Sequence, residues 1–140
     1  MTADLQDAFA DTAFWVALVA KQDQYNERAQ KWSLRIRGRI VTTAAVLLET
    51  ANTLARPPWR AAAITLMDYV PKRAGLEIVA LSPDLWRRGW DLYRNRPDKA
   101  WSLTDCISFL VMEDANLLDA LTPDEHFRQA GFRPVLLEEP

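Results

Sequence analysis

The sequence predicts an α/β protein, rich in helix, in which a short parallel sheet is covered by helices on both faces. Three observations predict it. Long helical patterns alternate with apolar pieces of four or five residues, as in βαβ units whose strands are buried on both sides. Four glycines in 140 residues are too few for the many tight turns of an all-β fold. Hydrophobic residues at 49% and charged residues at 26% are the balance of a globular chain. A chain of this length buries enough surface for one core without staples, so a single domain over residues 1–140 is expected.

The first strand is expected over Asp7–Ala10, followed by a short apolar helix over Thr12–Ala20. Asp23–Arg35 reads as a helix polar on most faces, and Arg39–Thr42 as the second strand. Thr43–Ala55 is helical by composition and almost wholly apolar, which predicts a buried helix. A helix over Pro58–Val70, a strand over Glu77–Ala80 and a helix over Pro83–Asn95 come next. The chain closes with helices over Thr104–Glu113 and Pro123–Gln129 and strands over Asn116–Ala120 and Pro134–Leu137. Pro57-Pro58, Pro71, Ser82-Pro83, Pro97 and Thr122-Pro123 mark the helix starts and stops.

Several function classes drop out. Gly38, Gly75, Gly89 and Gly131 are too scattered to form a phosphate-binding loop. The single cysteine, Cys106, has no partner within the chain and points to a reducing compartment; no Cys/His cluster can build a zinc site. The longest uncharged runs, Thr12 to Ala20 and Ile40 to Leu48, are nine residues each, about half a membrane span. Asp4 and Asp7 near the start, with no basic segment, do not read as a secretory signal. A soluble, cytoplasmic protein without a membrane partner is expected.

Ligands of such folds bind outside the carboxyl ends of the strands, so acids at the strand-to-helix turns are the first candidates. Asp11 follows the first strand, Asp105 opens the helix after Trp101-Ser102-Leu103-Thr104, and Asp124 follows the Asn116–Ala120 strand. Each also has a plain structural role open to it. Asp11 suits an N-cap, Ser102 with Asp105 a cap and its acid, and Thr122 with Glu125 a capping box around Pro123. Glu49 differs, being the only charge between Val41 and Ala55. An ionised carboxylate buried there without a partner would cost several kcal/mol, so it pairs with an arginine or faces a cation.

Four carboxylates sharing one crevice repel each other, and a divalent ion relieves that repulsion. Hard oxygen ligands completed by phosphate oxygens are the setting of metal-dependent phosphodiester hydrolysis. The charge distribution fits a polyanion. Net charge is −2, yet residues 20–40 carry +4 and residues 86–100 carry +3, against −6 over residues 101–140. Arg35, Arg37, Arg39, Arg87 and Arg88 are thus candidate nucleic-acid contacts, with a solvated helix face as the plainer account. Spacings of 38, 56 and 19 residues between successive acids do not by themselves define a site.

At these residues the sequence resembles the PIN-domain family, and within it the VapC-type toxins of bacterial toxin–antitoxin pairs. The resemblance rests on Asp11-Thr12-Ala13-Phe14-Trp15-Val16-Ala17-Leu18, on Glu49 in its apolar helix, and on two later segments. Those are Trp101-Ser102-Leu103-Thr104-Asp105-Cys106-Ile107-Ser108-Phe109 and the run from Ala120-Leu121-Thr122-Pro123-Asp124-Glu125-His126-Phe127 to Phe132. It implies a three-layer α/β/α sandwich and an endoribonuclease dependent on Mg²⁺ or Mn²⁺. Asp11, Glu49 and Asp105 would bind the metal, and Asp124 would hold a water or a second ion. Thr12 and Thr104 would orient a ligand or water. The resemblance further implies a homodimer, a silencing antitoxin, and tRNA or ribosomal RNA as substrate. A related nuclease with an RNA-processing or DNA target, and a non-catalytic RNA-binding module, are the alternatives. The stretch before Asp11 is more polar than the usual first strand, which predicts a short one.

Other residues receive structural readings. His126, the only histidine, reads as a helix-start residue bonded locally, since a metal-activated water needs no histidine. Cys106 reads as a small packed residue. Trp15 and Trp101 flank acidic positions and would pack the walls of the site. Trp86 and Trp90, at i and i+4, would stack bases or form a dimer face, although core or interface packing is the general expectation for the tryptophans.

Overall fold

The computed structural model describes residues 4–140. Ala8, Phe9 and Ala10 are wholly buried and form β1 (Ala8–Ala10), a strand with no polar face and therefore a central one. It pairs with β2 (Ile40–Thr43) through Ala8↔Ile40 and Phe9↔Val41, and on its other side with β4 (Asp119–Leu121) through Phe9↔Ala120 and Ala10↔Leu121. β3 (Leu76–Val79) and β5 (Arg133–Pro134) are the edges, giving the parallel order β3-β2-β1-β4-β5. The first strand is short, as its polar approach predicts.

Between the strands run α1 (Thr12–Val19), α2 (Asn26–Ser33), α3 (Ala44–Thr53), α4 (Trp59–Tyr69), α5 (Pro83–Asn95), α6 (Leu103–Asp114) and α7 (Glu125–Gln129). Right-handed crossovers place α1–α4 on one face and α5–α7 on the other, because the order runs leftward from β1 to β3 and then returns to β4. The result is the three-layer α/β/α sandwich. No helix among the described residues is long and apolar enough to cross a membrane.

Several boundaries differ from the sequence expectation, each for a local reason. α2 begins at Asn26 rather than Asp23, because Asp23 Oδ1 accepts the Tyr25 N–H (2.8 Å) and holds a turn first. The strand expected over Asn116–Ala120 begins only at Asp119. Asn116 takes a left-handed φ of 55° and ends α6 in a Schellman turn, with Leu117 N–H on Met112 O (2.8 Å) and Asn116 N–H on Glu113 O (3.1 Å). Gly131, at φ 97°, ends α7 the same way, with Phe132 N–H on Phe127 O (2.9 Å). The strand expected over Pro134–Leu137 is two residues, Arg133–Pro134, followed by a 3-10 turn over Val135–Leu137.

Strand order reverses between β1 and β4, and the crevice of such a sheet opens where their carboxyl ends diverge. Below it the core is aromatic. Phe109 of α6 meets Trp101 and Phe127 edge to face, both at 5.0 Å, and Phe127 lies 6.3 Å from Phe9 of β1. These rings lock α6 and α7 to the central strand, and the residues a turn above them face the crevice.

Candidate active site

All four predicted acids, Asp11, Glu49, Asp105 and Asp124, line one crevice of about 560 Å³ at the carboxyl edge of the sheet. Asp11 directly follows β1, at the N-cap position of α1, but its side chain makes no capping bond. Thr122, just past β4, donates from Oγ1 to Asp11 Oδ2 (3.0 Å). The carboxylate is thus held across the switch point instead of being spent on its own helix. It is 5% exposed, and its pKa is raised to about 7 by burial first, with the charges of Asp105 and Glu49 adding to it.

Asp105 combines its two predicted roles. It is the acid of a capping box, accepting Ser102 N–H at Oδ2 (3.1 Å) while its own N–H donates to Ser102 Oγ (3.0 Å). His126 Nδ1 lies 3.0 Å from the same Oδ2, which leaves Oδ1 free of protein partners among the described residues. Burial raises this carboxyl above its usual range; the Ser102 amide and His126 oppose the shift, and Asp124 adds to it. Asp124 caps α7, accepting His126 N–H at Oδ1 (2.8 Å). The capping box expected from Thr122 and Glu125 does not form: Thr122 Oγ1 accepts the Asp124 N–H (3.2 Å) and donates to Asp11, and the helix starts at Glu125.

Glu49 reaches the crevice by a different route from the one expected. The helix α3 is not buried all round: Ala44, Leu48, Asn52 and Thr53 face outward, and Leu48 is 63% exposed. Its alanines and threonines gave no polar stripe to mark the open side. Glu49 is half-buried on the lip and makes no ion pair among the described residues, so the arginine partner is absent. Thr12 lines the crevice and donates weakly from Oγ1 to Val46 O (3.5 Å), tying α1 to α3. Thr104 instead lines the adjoining hollow, which it shares with Glu49.

His126 is what the sequence reading undervalued. Its ring bonds across 21 residues to Asp105 and lies 3.5 Å from Asp124 Oδ1, and ligand atoms of Asp105, Asp124 and His126 all fall within 4.8 Å of one another. Its place two residues after a helix-capping acid was the available signal. Asp23 also lines the crevice. Cys106, by contrast, is buried, with its thiol pushed up to about 11 by burial, and is inert packing as expected. Trp15 and Trp101 are buried too and do not line the crevice: Trp15 donates from Nε1 to Thr42 Oγ1 (3.4 Å), and Trp101 to Gln129 Oε1 (3.0 Å).

The five arginines expected to meet nucleic acid lie elsewhere and are neutralised. Arg35 and Arg37 pair with Asp4, and Arg39 pairs with Asp7 and Glu77, all before β2 and thus at the amino edge of the sheet. Arg87 pairs with Asp84 and Asp91, and Arg88 with Asp114, at the end of α6 far from Asp105. Among the described residues no Lys or Arg lines the acidic crevice itself.

A parallel sheet in this order, with carboxylates gathered where the chain crosses between β1 and β4, is the architecture of a PIN domain. The PIN domain family matches residues 8–133, and the chain belongs to it. Within the family it is similar to VapC20 of Mycobacterium tuberculosis, a 23S rRNA-specific endonuclease, being 27% identical over 127 residues that cover 91% of this chain and 96% of that one. The crystal structure of VapC20, described as a Sarcin-Ricin loop cleaving toxin, superposes with a TM-score of 0.85 at 26% identity, covering 91% of this chain and 98% of VapC20. A chain of VapBC2 from Rickettsia felis, crystallised on a DNA fragment from their promoter, shares the fold with a TM-score of 0.62 at 14% identity, over 89% of this chain and 92% of that one.

Proposed function

We propose that this chain is a single-domain endoribonuclease of the VapC toxin type, which hydrolyses RNA phosphodiester bonds with a divalent metal ion. The observation that carries the reading is the convergence of Asp11, Glu49, Asp105 and Asp124 on one crevice at the switch point. A donor set made of carboxylates suits Mg²⁺ or Mn²⁺ rather than a soft metal. Once bound, the ion would supply Lewis-acid stabilisation of the phosphate and a lowered water pKa. The protein's part is to hold the donors still. Thr122 fixes Asp11, Ser102 and His126 fix Asp105, and the α7 cap fixes Asp124.

The likeness to VapC20 favours ribosomal RNA over tRNA as the substrate. As a toxin acting on RNA, the protein works in the cytoplasm and is silenced by a cognate antitoxin. Leu48, Leu81 and Trp86, exposed around an apolar hollow beside Glu49, offer a protein partner a surface to cover, whether the antitoxin or a second copy in a homodimer.

The test is cleavage of total ribosomal RNA and tRNA by purified protein in Mg²⁺, Mn²⁺ or EDTA, with Asp105→Asn as the control for contaminating nucleases. Discrete cuts that need metal and vanish in the variant are expected. Equal cutting by wild type and Asp105→Asn, or cutting that survives EDTA, would overturn the reading.

A further inference from the structure

An acid-lined crevice repels the backbone it has to hold, so cations must stand at its margin. Two hollows share walls with the crevice. The one it meets at Glu49 and Thr53 is lined by no Lys or Arg. The other, which it meets at Ala100 and Ser102, brings Arg94, Arg96 and Lys99 together with Trp90, Tyr93 and Trp101. Arg96 is occupied by Asp98, through two bonds of 3.0 Å. Arg94 makes no ion pair among the described residues, in contrast to Arg87 and Arg88 on the same helix, and neither does Lys99 in the turn after it.

Two aromatics of this hollow are equally unspent. Trp90 and Tyr93 are 40% and 45% exposed, and Trp86, one turn earlier on the same face of α5, carries the open aromatic surface on into the hollow beside Glu49. That face borders the side on which Leu85 and Gly89 are buried, yet its rings stay open to solvent. Trp90 and Tyr93 stack on each other at 5.4 Å and 18°, and the Arg94 guanidinium lies 5.9 Å from the Trp90 centroid. Lone exposed aromatics are ordinary, but a contiguous stripe flanked by unpaired cations and opening on a catalytic crevice has the make-up of a single-strand binding surface. Ser102 and Leu103 line the same hollow, so Trp90 and Arg94 lie beside the start of the helix that carries Asp105.

We propose that this hollow binds the single-stranded RNA flanking the cleaved phosphodiester, with a base stacked on the Trp90–Tyr93 pair and phosphates held by Arg94 and Lys99. The inference rests on the endoribonuclease reading for the identity of its ligand. It moves the cationic contact from Arg35, Arg37, Arg39, Arg87 and Arg88 to two other residues of the second basic block, which make no ion pair among the described residues.

The test is binding of a fluorescein-labelled 12-nucleotide single-stranded oligoribonucleotide of mixed sequence to the full chain. Every protein carries Asp105→Asn, so that binding is read without cleavage. Trp90→Ala should weaken binding roughly tenfold, and Trp90→Phe should restore most of the loss. Arg94→Gln and Lys99→Gln should each lower the salt slope by about one, whereas Lys31→Gln on α2 leaves it unchanged. Circular dichroism melts exclude unfolding as the cause. Unchanged affinity and salt slope in all three site variants would overturn the subsite. So would Trp90→Ala changing only the mass measured by light scattering, which would make the stripe a protein interface. Cleavage of ribosomal RNA, run in parallel with wild-type Asp105, separates the two readings. If wild type cuts while the site variants bind normally, the subsite alone falls. If nothing cuts in any metal while the variants lose binding, the nuclease reading falls and the RNA-binding surface stands.

Discussion

Asp11 occupies a capping position yet makes no side-chain capping bond to α1, and Asp124 caps its helix while still lining the crevice. Capping and metal binding are therefore compatible uses of one carboxylate, because each needs only one of its oxygens. Asp105 makes this plainest, with both its amide and ring contacts on Oδ2. With Asp105 ionised, the short contact requires the proton of His126 on Nδ1, and the ring then fixes the carboxylate as a carboxylate–histidine pair does. His126→Ala should lower metal affinity or cleavage about 10- to 100-fold. His126→Asn, which keeps a donor near that place, should lose less, and isothermal titration with Mn²⁺ reads the difference. Equal losses in both variants would deny the donor its role. Ser108 gives the opposite case: its hydroxyl is buried on α6 with no hydrogen-bond partner among the described residues. An unmet buried hydroxyl costs about 1–3 kcal/mol, so Ser108→Ala should raise the melting temperature or leave it unchanged. A fall in a thermal melt would show that the hydroxyl has a partner, such as an ordered water.

The position of Asp105 depends on how closely α5 approaches α6, and Gly89 sets that approach. A Cβ at Gly89 would stand 2.7 Å from Ile107 Cγ1, a branch atom in the middle of a packed side chain. Alanine gains about 1 kcal/mol of helix propensity at an ordinary interior site, but overpacking of this kind typically costs 1–3 kcal/mol. Gly89→Ala should thus be neutral to destabilising and should lower activity through Asp105, as a melt and a cleavage assay on one sample would show. A clear gain in stability would mean that α5 moves outward freely. Helices of this kind were legible because caps, prolines and periodicity agree with the packing: α5 and α7 end where the sequence places their ends, and α6 starts one residue early. The strands were less so. Asn116 looks like the start of an apolar run, but its left-handed backbone closes α6, and no residue-by-residue pattern separates such a turn from a buried strand. The last strand failed likewise, since Val135–Leu137 is apolar enough for a strand and coils into a 3-10 turn.

Charge is the property of the whole fold that the sequence conveyed least well. The block over residues 20–40 is strongly basic along the chain, yet Asp4, Asp7, Glu77 and Glu139 reach it from distant segments and neutralise its arginines. The acidic quartet survived folding because Asp11 and Asp124 follow adjacent parallel strands and Glu49 and Asp105 ride on helices packed over those strand ends, whereas surface arginines pair with whatever acid the fold delivers. The cost of burying an acid among other acids should be measurable without substrate. Asp11 has a folded pKa of about 7 against 3.8 unfolded, so between these values the native state holds the extra proton. Stability of the metal-free protein therefore falls as pH rises from about 4 to about 7 and levels off above, by a few kcal/mol from this group. Asp11→Asn should remove that slope. It should melt several degrees above wild type at pH 8 in EDTA and close to it at pH 4. Millimolar Mg²⁺ or Mn²⁺ should reverse the order at pH 8, because wild type binds the ion through its ionised form and gains RT ln(1 + [M]/Kd), while the amide gains less. If wild type melts no lower than Asp11→Asn at pH 8 in EDTA, ionised Asp11 is not destabilised by its burial and its acidic neighbours. If added metal then leaves both melts unmoved, the four carboxylates do not form a metal centre.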